Sequence, residues 1–175
     1  LNAPAQSTMS VDFNQLRTAA TLVLEGRTDI NLSGNQMIVS NSRQGWNNHA
    51  LPIPSNGSVF VETSATGYSS TRPGDIRLSG ADGMSGRLTI VAERDIQIVD
   101  HVRYADNPMD NPDSEDALGL VARRHVMVQT NAPDNLEIFA HMIAAEGGFG
   151  VANYTSSALG PRGVLTVYGG IVNHT

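Results

Sequence analysis

Residues 88–98 read LTIVAERDIQI and residues 118–128 read LGLVARRHVMV; they align without a gap, and residues 22–32, LVLEGRTDINL, follow the same plan. In each, two apolar residues stand two apart, then a small residue (Gly26, Ala92, Ala122), a corner, and a second apolar-x-apolar pair. Alternation at period two is the mark of a strand, so each copy reads as two short strands joined at a tight corner. Looser copies begin at Val59, rejoining at Asp75, at Leu136 and at Leu165. Irregular spacing between copies of one unit is what loop insertions on a solenoid produce.

The repeat predicts an all-β chain: a right-handed, single-stranded parallel β-helix of about six rungs, with 1–20 as an N-terminal segment and 21–175 as rungs with loop insertions. Small residues at the corners suit rungs stacked directly on one another. Asp29, Asp75, Asp95 and His125 take one aligned position after the corner, where a short polar side chain bonds nearby backbone amides. The alternative is an antiparallel β-sandwich, which needs two-residue hairpin turns. Asn56-Gly57 and Asp82-Gly83 are the candidate turns for it. Within Ser10–Ala20, Phe13, Leu16 and Ala20 recur at helical spacing, which predicts a short helix over the open lower end of the column.

The chain has 175 residues, a size suited to one domain. A net charge of −6 with only 11 Lys and Arg argues against nucleic acid as a partner. Cysteine is absent, which excludes disulfides and thiolate chemistry, and no apolar run is long enough to span a membrane. The start, LNAPAQSTMS, has no initiator Met and no signal-peptide core, as expected of a piece of a longer chain.

Residues 105–119, ADNPMDNPDSEDALG, concentrate five carboxylates: Asp106, Asp110, Asp113, Glu115 and Asp116. With Asn107, Asn111 and Ser114 they form a candidate calcium site, although the spacing is not that of an EF-hand and Pro108 and Pro112 read as successive turns. Trp46, the only tryptophan, lies in a polar stretch and is a candidate sugar-stacking platform or a lid over the core. For a polysaccharide lyase, Arg103, Arg123 and Arg124 are the candidate bases. For a glycosidase, the candidates are Glu93, Asp95 and Asp100. The five histidines (49, 101, 125, 141, 174) have no zinc-binding spacing, Gly147-Gly148 reads as a turn, and Ser156-Ser157 lacks the glycines of a nucleophile elbow.

The blocks LTIVAERDIQIVDHVRYADNP, NPDSEDALGLVARRHVMV, NLEIFAHMIAAEGGFGVANY and GPRGVLTVYGGIV, in this order over about residues 86–173, resemble a bacterial family described only as a domain of unknown function. That resemblance implies an exported protein with a prepilin-type leader, encoded near pilus or surface-appendage genes, with a β-helical soluble part and no catalytic residues to carry over. The resulting expectation is a non-enzymatic structural or adhesive module on the bacterial cell surface. Its expected partners are other copies of itself or appendage subunits. The alternative is a calcium-assisted protein that binds or degrades polysaccharide.

Overall fold

The computed structural model describes residues 10–63, 74–155 and 162–174. The Ser156-Ser157 pair lies outside the described residues. A helix, α1 (Phe13–Ala19), is followed by β1 (Leu22–Glu25), β2 (Thr28–Ser33), β3 (Gln36–Asn41), β4 (Trp46–Pro52) and β5 (Ser58–Glu62). Then come β6 (Ile76–Met84), β7 (Arg87–Ala92), β8 (Ile96–Tyr104), β9 (Ala117–Ala122) and β10 (Val126–Val128). The chain closes with β11 (Leu136–Phe139), β12 (His141–Ala144), β13 (Phe149–Val151), β14 (Leu165–Tyr168) and β15 (Ile171–Asn173).

The protein is mostly β, but it does not form the closed solenoid that the repeat predicts. Its strands make a six-stranded sheet, β1-β5-β7-β9-β12-β15, and a nine-stranded mixed sheet ordered β13-β10-β8-β6-β2-β3-β4, with β11 and β14 branching from β8. Two features break the regular coil. After β2 the chain doubles back through the antiparallel pairs β2–β3 and β3–β4 instead of crossing to the first sheet. At the other end β8 is shared, its start pairing with β10 and its end with β11, so the mixed sheet splits. Nor is the chain an antiparallel sandwich, because every pairing within the first sheet is parallel.

The repeated segments do stack in parallel in that first sheet, through Leu22, Val59, Ile90, Leu120, Met142 and Ile171. Leu22 therefore lies level with Ile90, two residues beyond the gapless alignment. A period of two explains the slip: a two-residue shift leaves every inward side chain inward, so apolar pattern alone does not resolve it. The copies begun at Leu136 and Leu165 are likewise out of phase, since β11 and β14 belong to the mixed sheet while β12 and β15 continue the parallel one.

The inward rows of the two sheets form one core. Leu24, Val61, Ile90 and Leu120 from the parallel sheet join Ile30, Leu78, Ile96 and Val126 from the mixed sheet, each nearly inaccessible to water. At roughly 1.5–3 kcal/mol per buried aliphatic side chain, this layer is the main source of stability. Met37 and Val39 of β3 join the same core, and Trp46, Leu51 and Ile53 pack partly buried against it, so the β3–β4 hairpin caps the N-terminal end.

Helix α1 lies elsewhere than expected. Phe13 and Leu16 pack on Phe60, Val91 and Val121, the outward residues of the parallel sheet, so the helix shields that sheet's face and not the end of a column. Asp12 caps it, accepting from the backbone N–H groups of Asn14 (3.0 Å) and Gln15 (3.1 Å). Arg123 lies 4.3 Å above the Phe13 ring.

Candidate functional site

Outward residues of the mixed sheet line up in rows, and one row places Gln97, Met127 and Gly150 side by side. Just before it, at the corner, stand Asp75, Asp95 and His125, linked strand to strand. The Asp95 N–H donates to Asp75 Oδ1 (3.4 Å), the His125 N–H to Asp95 Oδ1 (3.1 Å), and the Gly148 N–H to His125 Nδ1 (3.2 Å). Each polar side chain thus serves a backbone donor of the next strand, the local work expected of this position. Asp29 does not belong to the column: it sits inside β2, paired with Arg77 at 3.3 Å.

Beside this column opens a polar cleft of about 520 Å³. Asp75 and Gln97 form its floor and are almost fully buried, 1% and 5% exposed, with Gln97 Nε2 donating to Asp75 Oδ2 at 3.2 Å. Arg94 Nε approaches Asp75 Oδ1 to 3.4 Å, and Arg124 Nε approaches Asp95 Oδ1 to 3.6 Å. Among the described residues lining the cleft, two guanidiniums stand against two carboxylates. Arg94 Nε is buried, and among the described residues its approach to Asp75 is an ion-pair contact without the geometry of a hydrogen bond. The far wall is Gln129, Thr130, Ala152 and Asn153, the last in a left-handed conformation (φ 55) that asparagine tolerates.

The acidic loop is organised by its own hydrogen bonds. Asp116 accepts from the N–H groups of Gly86 (2.6 Å) and Asp106 (3.0 Å), Asp106 accepts from Asn111 Nδ2 (2.8 Å), and Asp110 accepts from Asn107 Nδ2 (3.1 Å). Glu115 faces Arg87 at 3.6 Å, and the Asp113 N–H donates to Asn111 Oδ1 (3.2 Å). Among the described residues no three carboxylate or imidazole groups converge as a metal site requires. The loop's ends are joined by the buried Tyr104, whose hydroxyl accepts the Leu118 N–H at 3.1 Å. Burial pushes this phenol's pKa up.

The proposed lyase and glycosidase groups are dispersed. Glu93 accepts the Thr63 N–H and faces Arg123 on the helix side, Asp100 accepts the His101 N–H, and Arg103 is paired with Glu137 at 2.5 Å. Only Asp95 and Arg124 reach the cleft. Trp46 opens β4, half-buried against the core, with His49 stacked on it at 4.9 Å. His101 Nδ1 accepts the Glu137 N–H, and His141 begins β12. Gly147 and Gly148 form the turn between β12 and β13.

At the C-terminal end β14 pairs with β11 and β15 with β12, and among the described residues no further strand pairs with either, so each sheet has an uncovered edge there. Val164, Leu165, Tyr168, Ile171 and Val172 are exposed there. No charged side chain occurs from Gly163 to Asn173. Among the described residues no helix is long and apolar enough to cross a membrane. Compared with family models, curated proteins and solved structures, the chain shows no match.

Proposed function

We propose that this chain is a non-enzymatic structural and adhesive module of a bacterial surface appendage, joined to other protein through the free edges of β14 and β15. The observation that carries the reading is the open end itself. It sets five exposed large apolar side chains beside two strand edges that no other described strand pairs with, in a segment without a charge. Edges that stay solitary are usually blunted by charge, proline or a covering element. The opposite end is blunted in that way: beside β1 the Glu25–Arg43 pair closes to 2.5 Å, and β4 carries Pro52 and exposed Asn47, Asn48 and His49. An extended strand from another copy or from an appendage subunit fits the open end, because main-chain hydrogen bonds supply affinity there and side chains supply selectivity. The resemblance over residues 86–173 supports the extracellular, appendage-associated setting.

One open end and one blunted end favour pairing of two copies over an unlimited fibre. Sedimentation tests this: the wild-type chain should associate as concentration rises, while Ile171→Lys and Val172→Lys should stay monomeric with an unchanged melting temperature. A wild-type chain that stays monomeric and captures no appendage-subunit strand would overturn the reading.

A further inference from the structure

We infer that the cleft beside the Asp75–Asp95–His125 column is a binding site for a neutral carbohydrate, gripped by amide and hydroxyl side chains without a metal ion. Its volume, about 520 Å³, lies within the range of small-molecule sites. Two of its polar groups, Asp75 and Gln97, are nearly fully buried and bonded to each other, so the floor is rigid before any ligand arrives.

Charge decides the class. Both guanidiniums in the cleft face carboxylates, Arg94 with Asp75 and Arg124 with Asp95, so the described lining carries no net formal charge to favour an anion or a cation. A neutral polyol needs none. Carboxamides offer donor and acceptor together, and a hydroxyl does the same, so Gln97, Gln129, Thr130 and Asn153 match the hydroxyl groups of a sugar in both senses. The Met127 thioether and the Ala152 methyl supply the small apolar contact that a sugar's C–H face accepts.

The test is a titration followed by side-chain amide NMR, with neutral trisaccharides of glucose, mannose and N-acetylglucosamine in EDTA, and with trigalacturonate and pyrophosphate as charged comparators. The expected result is saturable shifts of the Gln97, Gln129 and Asn153 amides with at least one neutral sugar at concentrations up to about 10 mM. Gln129→Ala should then weaken binding about tenfold, with the melting temperature unchanged. No saturable shift with any neutral sugar overturns the inference, as does tighter binding of either charged comparator or abolition of neutral-sugar binding by EDTA. None of these outcomes depends on the open end, so the two readings fail separately.

Discussion

At the scale of single residues, two buried polar groups hold together parts of the chain that apolar packing alone would leave loosely fixed. Asn41, 1% exposed, donates to Glu25 O (3.2 Å) and Thr28 Oγ1 (2.8 Å) and accepts from the Arg43 (2.9 Å) and Gln44 (3.1 Å) N–H groups. Thr28 stands inward where its neighbour in the mixed sheet is Ile76, so a polar partner is needed beside it. Asn41→Ala strands several of these groups at once and should lower stability by about 2–3 kcal/mol in chemical denaturation. Tyr104 plays the same part for the acidic loop. Its pKa is raised above 10.0 in the folded chain, so the folded state holds its proton more tightly than the unfolded state does. Stability is therefore unaffected by this group below about pH 10 and falls as pH rises from there toward the folded pKa. Denaturation curves should show that alkaline loss in the wild type and lack it in Tyr104→Phe. The variant should also be about 1–3 kcal/mol weaker at neutral pH, because the Leu118 N–H loses its acceptor. The polar column was legible in the sequence at Asp75, Asp95 and His125, where a polar side chain, aspartate twice and histidine once, recurs at the same corner. Asp29 was misplaced because the apolar pattern repeats every two residues and a shift by two leaves it intact.

At the scale of elements, the sequence pattern shows strands well and their partners poorly. Apolar alternation marks β7 and β9 and their parallel stacking, since Leu88–Ala92 and Leu118–Ala122 match residue for residue. The hairpins β2–β3–β4 were missed, although Ser33-Gly34-Asn35 between Ile30/Leu32 and Met37/Val39 carries a usable turn signal, with Gly34 at φ 54. Asn56-Gly57, the candidate hairpin turn of the sandwich alternative, instead closes a turn from Pro54 and leads the chain from the mixed sheet into the parallel one. Gly57 is at φ 62 there, and a Cβ would lie 2.5 Å from Arg87 O, so Gly57→Ala should cost more than about 1 kcal/mol in a melting experiment. The other candidate turn of that alternative, Asp82-Gly83, lies inside β6. Helix α1 was foreseen from its spacing, but its place was not, because the outward Phe60, Val91 and Val121 become a single apolar surface only after the strands stack. Phe13→Ala should cost about 3 kcal/mol by calorimetry, and Asp12→Ala about 1 kcal/mol.

At the scale of the whole molecule, two sheets share one core that a hairpin closes at one end and that no described element covers at the other. The cleft was invisible in the sequence because its walls come from four separate segments, around Asp75, Arg94–Gln97, Arg124–Thr130 and Ala152–Asn153, that only the stacking brings together. The uncovered end was half visible: the repeat copy begun at Leu165 marks strands there, whereas their exposure follows from the absence of any element over β14 and β15 among the described residues. A partner strand at that end would pair with the free backbone of β15 and protect its outward amides. Hydrogen exchange of residues 171–173, followed as the concentration of the chain is raised, reads this contact most directly. Strand-edge pairing predicts that these amides slow with concentration while those of β7 and β9 stay unchanged; equally fast exchange in 171–173 at every concentration contradicts it.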